Sequence, residues 1–232
     1  MRLLVIAAAM LLTAACAESS SPSPTPARDP AEVAADVPLA LDEMPGGWEI
    51  LPEGGDLGSE VQLSAECNIY DLGVSLPGAL ATARSEAFIG QRDQQMQTFG
   101  AVYASESEAQ AAVDGTAGLV ERCGDEFKEV LKQAAKDQIE ALGIDIGFLG
   151  RIDVALEERD ATSAADESAG YRIFVEVSAV GQSQSFSVDF LVLRAGRVVA
   201  ALQYATFGSV DESDEASIEA TLLSSAKQAE SG

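Results

Sequence analysis

The sequence has no histidine. That removes the commonest general base and the commonest metal ligand together. A serine triad, a cysteine–histidine dyad and a histidine-based zinc site are all excluded, and no catalytic residue, metal site or cofactor is expected. Positive charge is scarce as well: 14 Lys and Arg face 38 Asp and Glu, a formal net charge of −24. Such a body repels phosphate backbones and anionic bilayers, which weighs against nucleic acid as a partner and against lying flat on a membrane. The acid reads first as a means of solubility, and no Asp/Asn/Gly spacing matches a calcium loop. Long apolar runs are missing too. A membrane span needs about 20 apolar residues. The run Leu3–Leu12 stops short of that, and the strand-like Phe186–Leu193 is interrupted by Ser187 and Asp189. The nearest approach to a nucleophile elbow, Gly181-Gln182-Ser183-Gln184-Ser185, lacks the second glycine and reads as a hairpin tip.

Cysteine is sparse, with three in the chain, but the first is placed informatively. Arg2, the apolar run Leu3–Leu12 and the small residues Thr13-Ala14-Ala15 lead directly to Cys16. That order of charge, apolar stretch and small residues is a secretion signal. The cysteine after it reads as a lipobox: the Cys16 thiol takes a diacylglycerol, residues 1–15 are removed, and Cys16 becomes the N-terminus. Thr13 stands where such motifs usually carry an aliphatic residue, so an ordinary signal peptide cut near Ala15 or Ala17 is the other reading. Ala17–Asp36 is rich in Ser, Pro and Ala, and its only large apolar residue is Val33. It is expected to act as an extended tether rather than to pack. The expected organisation is a signal peptide over 1–15, a lipidated cysteine and tether over 16–37, and one extracytoplasmic domain over 38–232. The expected partner is the lipid bilayer, held through the N-terminal diacylglycerol at the outer face of the cytoplasmic membrane.

With Cys16 acylated, Cys67 and Cys123 remain. Two cysteines in an exported chain most simply form one disulfide, worth roughly 4 kcal/mol in the chain-entropy model. The alternative is a pair of free or metal-binding thiols, which without histidine make a poor zinc site.

The body carries both helical and strand patterns. Pro38–Trp48 predicts a short helical turn broken by Pro45-Gly46-Gly47. Ala81–Ile89 and Gln94–Ala104 predict strands, the second with apolar residues on both faces and therefore an inner strand. Ser105 and Glu108 form a capping box opening a helix through Ala109, Val113, Thr116, Val120 and Cys123, stopped by Gly124. A second helix is expected over Glu126–Leu142. Glu157–Gly170 is expected as a long acidic surface loop. Strands around Ile152–Leu156, Tyr171–Ala179, Gln184–Arg194 and Arg197–Phe207 read as an antiparallel meander turned at Gly181–Ser183 and Ala195-Gly196. A last helix begins near Asp211 or Ser213 and turns Ile218, Leu222 and Ala226 to the sheet. Phe174, Phe186, Phe190 and Tyr204 are expected in the core. The fold class is α+β, a single antiparallel sheet of about six strands with helices packed on one face.

The lipobox, the Pro/Ser tether, the Pro-Gly-Gly-Trp turn at 45–48, the Ser105–Cys123 helix, the stretch Val188–Val199 and the acid-capped final helix together resemble actinobacterial sensor-domain lipoproteins. These are related to the extracellular domain of the PknH-type serine/threonine kinases. The resemblance implies a disulfide-stapled extracytoplasmic domain with a cleft that takes an unidentified ligand. Kinase-linked members carry two disulfides and this chain can form one, so no family binding residue is carried over. The functional expectation is a membrane-anchored lipoprotein with a ligand-binding or sensor-like domain. The alternative is a structural lipoprotein that docks a cell-envelope protein complex. Carboxylate pairs can work without histidine, as in glycoside hydrolysis. The strand acids Asp189 and Glu176 are expected to face solvent, however, and no enzyme activity is expected.

Overall fold

The computed structural model describes residues 28–52, 64, 67, 76–91, 94–141, 149–159, 164–179, 182–208 and 212–232. The first element is a helix, α1 (Pro30–Ala35). Asp29 caps it by accepting the Ala31 N–H at 2.9 Å, and Pro30 opens it where a missing N–H costs nothing. Val33, Ala34 and Val37 lie in the core, each at most 1% exposed. Residues 28–37, assigned by composition to the tether, thus belong to the folded domain. Composition misled because three small aliphatic side chains on one side of a short helix are enough when a matching groove exists. The groove is made by Gly100: a Cβ there would fall 2.5 Å from Val37 Cβ and 2.7 Å from the Ala34 carbonyl oxygen.

A 3-10 turn (Leu41–Glu43) follows, and Gly47, at φ +99°, makes the bend that delivers Trp48 to the core. The strands are β1 (Glu49–Ile50), β2 (Ala81–Arg84), β3 (Phe88–Ile89), β4 (Gln95–Val102), β5 (Leu149–Glu158), β6 (Glu167–Ala179), β7 (Gln182–Ala195) and β8 (Val198–Phe207). They form one sheet in the order β1-β3-β4-β8-β7-β6-β5, with β2 also on β4, and every pairing is antiparallel. The α+β class and the antiparallel sheet stand. The sheet has eight strands among the described residues, slightly more than the expected six, because the expected strand Ala81–Ile89 is divided into β2 and β3, which pair with β4 separately, and the two-residue β1 is added.

The helices cover both faces rather than one. Val102 of β4, Leu191 and Leu193 of β7, and Ala200, Leu202 and Tyr204 of β8 pack with α1 and with Ile218, Leu222 and Ala226 of α4 (Glu212–Ser231). The alternate residues turn the other way. Phe99, Ala101, Val192, Val199 and Ala201 pack against Ala109 and Val113 of α2 (Glu106–Ala117). Tyr171, Ile173, Val175 and Phe190 pack against Cys123, Phe127 and Leu131 of α3 (Leu119–Ala141). The inner strands β4 and β8 are buried on both sides, which a single helical layer could not achieve. Phe190 and Tyr204 are buried as expected, while Phe174 and Phe186 are half-buried.

The Ser105 cap forms, with the Glu108 N–H donating to Ser105 Oγ at 3.3 Å, but the return bond of the expected box is shifted by one residue: Glu108 Oε2 accepts the Ala104 N–H, at 3.2 Å, rather than that of Ser105. The break between the two central helices falls at Gly118, not Gly124. Gly118 ends α2, the Arg122 guanidinium donates to the Gly115 carbonyl at 3.0 Å across the junction, and Cys123 therefore sits on the second helix. The expected acidic loop is also shorter: β5 runs through Glu158, β6 starts at Glu167, and the Arg159 N–H bonds to the Gly170 carbonyl at 2.8 Å.

Candidate functional site

Cys16 lies outside the described residues. Cys67 and Cys123 are joined, with Sγ–Sγ 2.06 Å and Cα–Cα 5.6 Å. Both are nearly enclosed in the cluster beneath α3. One turn further along the helix, the Glu126 carboxylate accepts from the Ser64 N–H at 2.6 Å and its hydroxyl at 2.9 Å. The segment bearing Cys67 is therefore fastened to α3 at two neighbouring points.

The strongest concentration of chemistry lies on the opposite face, between the sheet and α4. Asp189, in the middle of β7, is 0% exposed. This corrects the expectation that it faces solvent; Glu176 is half-buried. Arg172 on β6 is the register partner of Asp189, and its guanidinium grips both carboxylate oxygens, Nε to Oδ1 at 2.6 Å and Nη2 to Oδ2 at 3.0 Å. The same Nη2 reaches Glu215 Oε2 on α4 at 3.3 Å. Arg159, just past β5, places Nη1 2.7 Å from Glu215 Oε1 and Nη2 3.5 Å from Glu219 Oε2. The first of these is a charge contact without hydrogen-bond alignment. Glu215 and Glu219 are 1% and 2% exposed. Three carboxylates and two guanidiniums thus share one enclosed site.

The electrostatics follow from that count. Burial, first, and the neighbouring charge of Asp189, second, push the Glu215 carboxyl from 4.5 up to about 8; Arg159 and Arg172 pull it down without compensating. On the far side of the sheet, burial pushes the Tyr103 phenol up to about 12. Among the described residues no group of three or more His, Cys, Asp or Glu is arranged to hold a metal ion. In the α4 cluster the space between carboxylates is taken by guanidinium groups. As it stands, the cluster binds α4 to the sheet, with its carboxylates enclosed and its guanidiniums partly exposed.

The sequence held a signal for this cluster. Glu215, Glu219, Leu222 and Ala226 follow helical spacing on the stripe that also holds Ile218, so the two acids fall on the apolar side of α4. On β7 the side carrying Ser187 and Asp189 also carries Leu191 and Leu193. A face that is polar at one end and aliphatic at the other is a buried face with a charge in it.

No protein-family model matches the chain, and no curated protein matches it in sequence. Among solved structures there is weak similarity to the extracellular domain of PknH from Mycobacterium tuberculosis, with TM-score 0.35, 9% identity, and coverage of 68% of this chain and 70% of that one. There is weaker similarity to LpqN, involved in cell envelope biogenesis of Mycobacterium tuberculosis, with TM-score 0.28, 10% identity, and coverage of 78% and 76%. Likeness at this level assigns the chain to no family, and no function is drawn from it.

Proposed function

We propose that this protein is a lipoprotein held through Cys16 at the outer face of the cytoplasmic membrane. Its folded domain serves there as a non-catalytic, ligand-binding or sensor-like module. The observation that carries the reading is Cys16 itself, a cysteine placed directly behind a charged start, a short apolar run and two alanines. Three further features support it. Arg28, the first described residue, lies twelve positions after Cys16 in the sequence. The Cys67–Cys123 disulfide suits an oxidising compartment. No helix among the described residues is long and apolar enough to cross a membrane, so retention there falls to the lipid.

The test is metabolic labelling with a fatty-acid probe, comparing wild type with Cys16→Ala. Wild type is expected to carry label and to sediment with membranes; the variant is expected to lose both. Unlabelled wild type, or label that survives the substitution, overturns the anchor. For the module, a ligand raises the melting temperature through mass action. A screen of envelope metabolites and glycans is expected to yield at least one stabilising compound. If none does, and crosslinking in membranes instead captures one stoichiometric protein, the docking alternative replaces the sensor reading.

A further inference from the structure

Among the described residues the cluster beneath α4 holds one more carboxylate than guanidinium. Arg172 turns one edge of its guanidinium, Nε and Nη2, to Asp189, and the same Nη2 gives Glu215 a longer contact, at 3.3 Å. Arg159 approaches Glu215 at 2.7 Å off hydrogen-bond alignment and also serves Glu219. Asp189 takes the bidentate guanidinium contact, whereas Glu215, 1% exposed, has one longer and one misaligned contact. Burial and the adjacent charge of Asp189 both favour the neutral form of Glu215, so the proton of this cluster belongs to Glu215.

The charged and titratable groups around Glu215 come from every element packed on it. They are Arg159 from the segment after β5, Arg172 from β6, Asp189 from β7 and Glu219 from α4 itself; on β8, Tyr204 is the register neighbour of Asp189. Glu215 shares the buried stripe of α4 with Ile218, Leu222 and Ala226. It cannot regain water unless that stripe lifts from the sheet. The charge of one carboxyl and the docking of one helix are therefore coupled.

We propose that Glu215 carries a proton while α4 is docked, and that loss of this proton loosens α4 from the sheet, so that the helix is a proton-operated latch. This goes beyond the reading of the chain as a lipoprotein and stands or falls without it. The direction follows from linkage. Undocked, Glu215 returns to an ordinary carboxyl near 4.5; docked, it holds its proton to about 8. Between those values the docked form binds one proton more. The opening equilibrium of α4 should then rise with pH, approaching tenfold per pH unit, and level off above about 8.

Hydrogen–deuterium exchange of the α4 amides in the full chain, corrected for intrinsic rate, reads that equilibrium. Wild type is expected to lose α4 protection, relative to the β7–β8 amides, by at least tenfold between pH 6 and about 8. Glu215→Gln keeps the shape and a permanently neutral group, so its α4 protection is expected to be flat over the same range. Glu219→Gln, one turn away, is expected to retain the wild-type slope. Parallel profiles in wild type and Glu215→Gln overturn the proposal, as does a slope abolished equally by Glu219→Gln. Carbon-13 NMR of the glutamate carboxyls gives a second measurement that needs no stable variant. One carboxyl in wild type is expected to titrate near pH 8, and a spectrum in which every glutamate titrates below about pH 6 overturns it.

Discussion

Asp189 is fully buried, and Arg172 meets both of its oxygens. Taking away one member of such a pair strands the other, at a cost of about 3–5 kcal/mol. Arg172→Ala, which leaves the fully buried Asp189 without its guanidinium, is therefore expected to lower stability to chemical denaturation by about that amount, far more than Arg151→Ala, whose ion pair with Asp153 is exposed. Tyr103 presents the reverse case. Among the described residues its buried hydroxyl has no hydrogen-bond partner, so Tyr103→Phe should raise stability by about 1 kcal/mol, read as a shift in the urea midpoint at unchanged slope. For Glu215 the sign is unusual for an acid. Its carboxyl is easier to protonate in the folded protein than in the unfolded chain. The stability it confers is complete below about 4.5 and is lost as pH rises towards about 8, at no more than about 1.4 kcal/mol per pH unit. Denaturation midpoints at pH 5.5 and 8.5 are expected to differ less in Glu215→Gln than in wild type.

At the level of elements, two contacts hold parts that would otherwise be loosely attached. The disulfide closes a loop of 56 residues, and Cys67→Ala with Cys123→Ala is expected to cost about 4 kcal/mol, measured under oxidising conditions against the reduced wild type as control. Gly100→Ala should displace α1 from β4, because its methyl would meet the Ala34 carbonyl and Val37. A loss of about 1–3 kcal/mol is expected, with a drop in protection confined to the first strands and α1. The elements that could be read in advance are those whose local chemistry and tertiary role agree. β4 shows apolar residues on both faces because it is enclosed on both, and the Ser105–Glu108 cap and the β6–β8 meander follow their own periodicity. The elements that could not be read depend on partners far along the chain. α1 is a helix because Gly100, 63 residues beyond Val37, leaves room for it. The break at Gly118 rather than Gly124 puts α2 over β6–β8 and lets α3 reach the outer strand β5 while still packing on β6 and β7, an arrangement set by tertiary packing. Acids near the start of α4 suit the helix dipole on local grounds alone; the burial of Glu215 and Glu219 depends on Arg159 and Arg172, which only the fold brings beneath them.

Across the whole molecule, 38 acids against 14 basic residues make the folded state repel itself. Added salt shortens the reach of that repulsion to about 10 Å at 0.1 M. The melting temperature is therefore expected to rise by roughly 2–4 °C between low and moderate ionic strength, the shift that about 1 kcal/mol produces in a chain of this size. A fall would mean that ion pairs such as Arg28–Asp36 outweigh the general repulsion. The two ends of the described chain meet at one corner. The Arg28 guanidinium pairs with Asp36 and reaches the Ala229 carbonyl at 3.5 Å, and Arg197 in the β7–β8 hairpin pairs with Glu230. Arg28 and Gly232 thus share one corner of the described fold, beside the β7–β8 hairpin, while the Ser178–Ser183 pairing lies at the other end of β7. Dyes attached at positions 28 and 232 would exchange energy efficiently, and either one paired with a dye at position 183 would do so less.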